Sequence, residues 1–174
     1  MDVKIPFYNI TNIFLPGLVF TGSCILLFID KIKVIVNSIS ELSNTGLEIL
    51  IIISSIGIAY EVGYIIFRLG AILIEPILKK MFDLAPYERF VAAKKAGAEQ
   101  SLDMLSREYG YTRTRITLFI LLSATTGLNS HWMLMVVCIL CVVLFTLTVR
   151  GHIQKILTTV ETYAIKNSTS QNIP

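Results

Sequence analysis

AYEVGYIIFRLGAILIEP, residues 59–76, decides how the chain is read. The stretch is oily, yet it carries Glu61, Arg68 and Glu75 at intervals of seven residues. On a helix of 3.6 residues per turn, that spacing aligns the three charges along one face. Ser54 and Gly57 extend this face toward the opposite end. The surrounding run is apolar from Leu47 almost to Leu78, with no breaker before Pro76. As a single helix of about 32 residues it would be about 48 Å long at 1.5 Å per residue, against a hydrocarbon core of ~30 Å. Its last turns are expected to emerge from a bilayer, because Glu75 precedes Lys79 and Lys80.

Depth separates the three charges. With Leu47 at the outer edge, Glu61 lies about 21 Å along the axis, past the midplane. Arg68 falls near the inner boundary, where it can snorkel, and Glu75 falls outside the core. A charge at bilayer depth costs at least ~2.5 kcal/mol and faces a partner helix, a partner subunit or water. Two readings of Glu61, Arg68 and Ser54 stay open. One is an ion pair or hydrogen bond that fixes packing, and the other is a polar lining for a pore or proton path. Ser55, Ala59 and Gly63 form a second stripe of small residues every four positions, the pattern that lets membrane helices approach closely. A packing face beside a charged face is what a self-associating helix would show, so a homo-oligomer is expected.

Composition agrees with a membrane protein. The chain is 54% hydrophobic and only 16% charged, whereas soluble domains are nearer a quarter charged. Its mean hydropathy is +0.70. The net charge of +3 is too small to suggest direct nucleic-acid binding. Cys138 and Cys141 form a C-x-x-C pair inside an apolar run, with no further Cys or His nearby to complete a zinc site. They read as membrane-helix residues, and neither a metal nor a cofactor is expected.

Four apolar runs are expected to span, at roughly 11–30, 47–72, 114–128 and 132–149, within one all-α transmembrane domain covering 1–174. Thr11 or Asn12 could cap the first, with Pro16 in its opening turns. No small-residue cleavage site follows that run, so it reads as a retained span. Residues 34–46 read as a connecting loop. Residues 83–113 read as a cytoplasmic amphipathic helix starting near Pro86 and stopping at Gly110. Phe90, Val91, Ala98, Leu102, Leu105 and Tyr109 recur on one face of it, and Arg89, Lys94, Lys95 and Arg107 offer a surface to a cytoplasmic partner. Asn129, Ser130 and His131 read as a tight turn, Trp132 as an interfacial anchor, and the segment after Arg150 as a polar, fraying tail with a solvated His152.

Four spans place both termini on one side. That side then holds twelve Lys and Arg residues and the other only Lys31 and Lys33, with Arg68 inside a span. The bias orients the termini and the 83–113 segment to the cytoplasm of a plasma (inner) membrane.

Catalytic signatures do not support an enzyme. There is no P-loop, H-E-x-x-H or G-x-S-x-G motif. His131 and His152 fall on opposite sides of the membrane under this topology, and no His or Lys on its helix activates Ser123. No catalytic residue is expected. The absence of internal repeats argues against a monomeric transporter.

LPGLVF at 15–20, YEVGYIIFRL at 60–69 and REYGYTRTR at 107–115 give the chain a layout that resembles small four-span membrane subunits of bacterial anti-phage defence operons. The membrane subunit of the Kiwa system and CRISPR-associated membrane accessory proteins are examples. One type in this group has been linked to an R-x(4–6)-H nuclease motif. That motif is missing here, since one residue separates Arg150 from His152. The resemblance implies an oligomer that perturbs or senses the membrane together with a cytoplasmic partner. Two functions are therefore expected. The first is an oligomeric pore or membrane-perturbing effector, with Ser54, Glu61, Arg68, Ser123, Thr125 and Thr126 as its polar lining. The alternative is a non-conducting anchor or sensor that recruits a cytoplasmic protein.

Overall fold

The computed structural model describes residues 10–30, 32–33, 45–82 and 86–170. Most of the expected 34–46 loop and the last four residues of the tail lie outside them. Every regular element among the described residues is helical. Helix α1 (Leu15–Leu27) is entered through a π-helical turn, Ile10–Phe14. Helix α2 (Thr45–Leu69) runs through a second π-helical turn, Gly70–Ile74, into α3 (Glu75–Phe82). Helix α4 (Tyr87–Ala93) leads through a π-helical turn, Lys94–Ala98, to α5 (Glu99–Leu128), and α6 (Trp132–Ser170) comes last.

Several boundaries differ from expectation. Neither Thr11 nor Asn12 caps α1, because the helix already starts at Ile10. Gly110 does not stop a helix: α5 passes through it, and Gly110 is buried there. The glycine that breaks the 83–113 segment is Gly97, whose φ of 100° lies where a side chain is strained. The segment is thus a short α4 bent onto the start of α5. The tail is helical to Ser170, because Val149, Ile153, Ile156 and Val160 recur at helical spacing and are all buried.

The bundle has two halves with different physics. In the oily half, Ile66, Leu118, Leu122 and Cys138 form the core, with Phe20, Val62, Phe119 and Leu121 packed on it. Phe119 and Phe145 stack with ring centroids 5.7 Å apart. The outer surface here is also apolar, from Ile49 to Ile65 on α2 and from Trp132 to Leu147 on α6. In the polar half, Leu102, Tyr109, Ile153, Ile156 and Val160 from α5 and α6 pack with Leu78 and Ala93. The exposed positions of α6 there include Arg150, Gln154, Lys155, Thr158, Glu161 and Thr162. Burying a side chain such as Leu102 or Ile153 away from water contributes about 1.5–3 kcal/mol. Between lipid-facing helices that drive is missing, and close fit replaces it.

Close fit is visible where α1 meets α2. A Cβ on Gly17 would overlap the Ala59 carbonyl oxygen, and one on Gly63 would overlap the Ile13 carbonyl oxygen. Both glycines are needed for the backbones to touch. The Ala59–Gly63 face is therefore packed against α1 of the same chain. Ser55 stands outside that contact, exposed and donating to its own helix at the Ile51 carbonyl, 2.8 Å away.

Three helical stretches are long and apolar enough to cross a membrane: Ile10–Leu27, Glu48–Phe82 and Trp132–Tyr163. The expected third span, 114–128, is the second half of α5 and is not among them. Its Thr114, Ile116, Thr117, Leu118, Leu122 and Thr126 are buried between the other helices. A helix shielded by its neighbours does not need a lipid-compatible surface.

Candidate functional site

The stripe of sevens is broken by the π-helical turn at Gly70–Ile74. Such a turn holds one residue more than an α-turn, which rotates the rest of the helix by roughly 100°. Glu61 and Arg68 stay on the exposed side of α2, whereas Glu75 is turned inward toward α5. The wider turn also admits Pro76, which has no N–H to donate back into the helix.

Turned inward, Glu75 meets Arg113. The Arg113 guanidinium donates through Nη1 to Glu75 Oε2, with side chains 9% and 24% exposed. Lys79 reaches Glu75 Oε1 at 2.8 Å from the solvent side. The Arg113 guanidinium lies 5.4 Å from the centre of the Phe67 ring, within cation–π range. Thr117 Oγ1 occupies the space a Cβ on Gly70 would need. This pair ties α3 to α5 at the junction of the oily and polar halves. Sequence reading placed Glu75 outside the core and counted Arg113 only as one more positive charge, so it missed the pair.

Next to the pair, the Tyr109 hydroxyl is buried and has no hydrogen-bond partner among the described residues. Burial, then the nearby Glu75 carboxylate, push its pKa up to about 12, with Arg113 pulling the other way. Across the helix pair, His152 Nδ1 lies 3.2 Å from Glu108 Oε2 but lacks hydrogen-bond geometry. Its side chain is largely covered, which corrects the expectation of a solvated tail histidine. His131 sits at the far turn, where its backbone N–H donates to the Thr126 carbonyl at 2.9 Å.

Glu61 is exposed on α2, and it makes no ion pair or hydrogen bond among the described residues. Arg68 is held by its own helix. It turns back one helical turn and donates to Tyr64 Oη from Nε at 2.9 Å and from Nη2 at 2.6 Å. Both charges thus lie on the exposed outer surface of the bundle. Ser54 is exposed on the same helix. Ser123, Thr125 and Thr126 each donate to a carbonyl of their own helix. Thr126 is buried.

Of the anticipated partner surface, Arg89, Lys95 and Arg107 are exposed. Lys94 is not free: it pairs with Asp103 across the Gly97 bend and lies 5.3 Å from the centre of the Phe90 ring. Cys138 is buried and Cys141 half-buried, both as free thiols. Among the described residues no group of His, Cys, Asp and Glu is placed to hold a metal.

No family model matches the chain, and no curated protein or solved structure matches it.

Proposed function

We propose that the chain is a four-span, homo-oligomeric protein of the plasma membrane, with cytoplasmic termini, that acts as a non-conducting anchor and relay for a cytoplasmic protein partner. The supporting observation is the continuity of α5 and α6. At 1.5 Å per residue, their 30 and 39 residues extend about 45 and 58 Å, well past a hydrocarbon core of ~30 Å. The oily and polar halves therefore share two unbroken rods, joined to α3 through Glu75–Arg113. Arg89, Lys95 and Arg107 lie on the exposed surface available to the partner. The layout's resemblance to defence-operon membrane subunits is the ground for placing such a relay in a bacterial defence system.

A second reading, an oligomeric pore, is favoured by one observation. Glu61 is unpaired at depth while Arg68 is held by Tyr64 of its own helix. Several copies could bring their Glu61 carboxylates into one ring, as cation-selective channels do with side-chain carboxylates. Planar-bilayer recording of wild type and Glu61→Gln, alongside their size distributions in mild detergent, separates the two. The relay reading expects no current from either protein and a smaller oligomer for Glu61→Gln. Reproducible cation current from wild type that loses selectivity in Glu61→Gln would replace it with the pore.

A further inference from the structure

Helix α1 packs along α2 and touches α5, but it makes no extended contact with α6. Where the two stand apart, a cavity of about 260 Å³ opens between them, with α5 at its back. Its walls are Ser23 and Leu27 from α1, Leu122 and Thr126 from α5, and Leu134 and Cys138 from α6. We propose, on the four-span reading above, that this cleft is a binding site for one acyl chain of an outer-leaflet phospholipid.

Three observations select that occupant. The cleft is larger than the ~150 Å³ apolar cavities known to stay dry and to take up benzene-sized hydrocarbon. Water is a poor alternative, because a buried water needs two to four polar partners. The polar side chains in the wall are Ser23, Thr126 and a weakly bonding thiol, and the Thr126 hydroxyl already donates to the carbonyls of Leu122 and Ser123. The mouth lies between two apolar, exposed surfaces, with Leu26 of α1 on one side and Leu134 and Trp132 of α6 on the other. On the four-span reading those surfaces face lipid, so a tail enters laterally without crossing polar ground.

The register fits as well. Thr126 and Leu134 are the cleft residues nearest the Asn129–His131 turn, and Leu122 and Cys138 lie one helical turn farther in. A lipid whose headgroup sits level with that turn would drop its tail down the cleft. Filled in this way, the cleft regains the dispersion contacts an empty space forfeits and holds α1 against α6, which protein contacts alone do not do.

The test is lipid retention. Wild type, Thr126→Phe and Ile52→Phe are extracted in mild detergent from vesicles of phosphatidylethanolamine and phosphatidylglycerol, washed, and weighed by native mass spectrometry. The expected result is one tightly held phospholipid per chain in wild type and in Ile52→Phe, whose position lies on the outer face of α2, and loss of that lipid in Thr126→Phe. Ser23→Leu, a milder filling of the same cleft, is the substitute if Thr126→Phe loses its helical circular dichroism. Retention by the filled variant equal to that of wild type overturns the proposal, as does wild type holding no lipid. A chain found in the aqueous fraction before extraction would instead overturn the membrane reading on which the site rests.

Discussion

Removing either member of the Glu75–Arg113 pair should destabilise the bundle, and unequally. Arg113 is the more deeply buried and has no carboxylate within reach other than Glu75 among the described residues. Glu75→Ala therefore strands a buried guanidinium, with only the Phe67 ring beside it. Stranding one charge of a buried pair costs about 3–5 kcal/mol, and the ring returns roughly 0.5–2 kcal/mol. The expected loss for Glu75→Ala is about 1–4.5 kcal/mol. Arg113→Met leaves Glu75 with Lys79 at 2.8 Å and a carboxylate still partly open to solvent. Its expected loss is smaller, about 1–2 kcal/mol by the same reasoning. Glu75→Ala with Arg113→Met removes both charges, so the double variant should be more stable than the sum of the single losses predicts by at least about 1 kcal/mol. Equilibrium unfolding in mixed micelles, followed by circular dichroism, measures all four proteins. Additivity within about 0.5 kcal/mol, the range typical of independent sites, would mean that the pair does not join α3 to α5.

Three further outcomes are expected. Gly63→Ile should cost at least about 2 kcal/mol of monomer stability, because its side chain must enter the backbone contact with Ile13. A smaller oligomer with unchanged monomer stability would instead place that face between subunits. The raised pKa of Tyr109 makes the folded state hold its proton where the unfolded state loses it, so stability should fall as pH rises from about 10 to about 12. Tyr109→Phe should remove that part of the alkaline loss and cost little at neutral pH, since the hydroxyl has no partner to lose; an unchanged alkaline slope in the variant would count against the assignment. In a chain whose native cysteines are replaced by alanine, a membrane-impermeant maleimide applied outside should label Ser130→Cys and spare Glu99→Cys. Labelling of Glu99→Cys would reverse or abolish the proposed topology.

The sequence carried the helices and much of the polar core. Phe90, Val91, Ala98, Leu102, Leu105 and Tyr109, read as one face, are all buried or half-buried there. Helical spacing in Val149, Ile153, Ile156 and Val160 was also present in the tail, but the polar residues after Arg150 read as a fraying terminus. The π-helical turn at Gly70–Ile74 left no such trace. It shifts the helix by one residue without changing composition, and Pro76 is its only nearby cue. That shift separates Glu75 from Glu61 and Arg68, which is why the charged stripe was read as a single feature. The Arg113 partner lies 38 residues away along the chain, a separation that no local pattern bridges. Gly110 misled because glycine is a poor helix former by about 1 kcal/mol, whereas here it is buried in the packing of a long helix.

Helix α5 shows how a helix of low hydropathy can lie within an otherwise oily bundle. Lipid penalises polar surface, but it acts only on surface that it touches. Thr112, Thr114, Thr117 and Thr126 are buried by protein, and each hydroxyl donates to a carbonyl of its own helix at 2.8–3.1 Å. A hydroxyl satisfied in this way demands nothing of lipid, water or another chain. Their burial keeps these four side chains off the outer surface of the bundle. The charged groups on the exposed face of α2 are then the Glu61 carboxylate and the open edge of Arg68. They lie on the face of α2 that α1 leaves uncovered, so a partner helix that offered a cation to Glu61 would be drawn to that face.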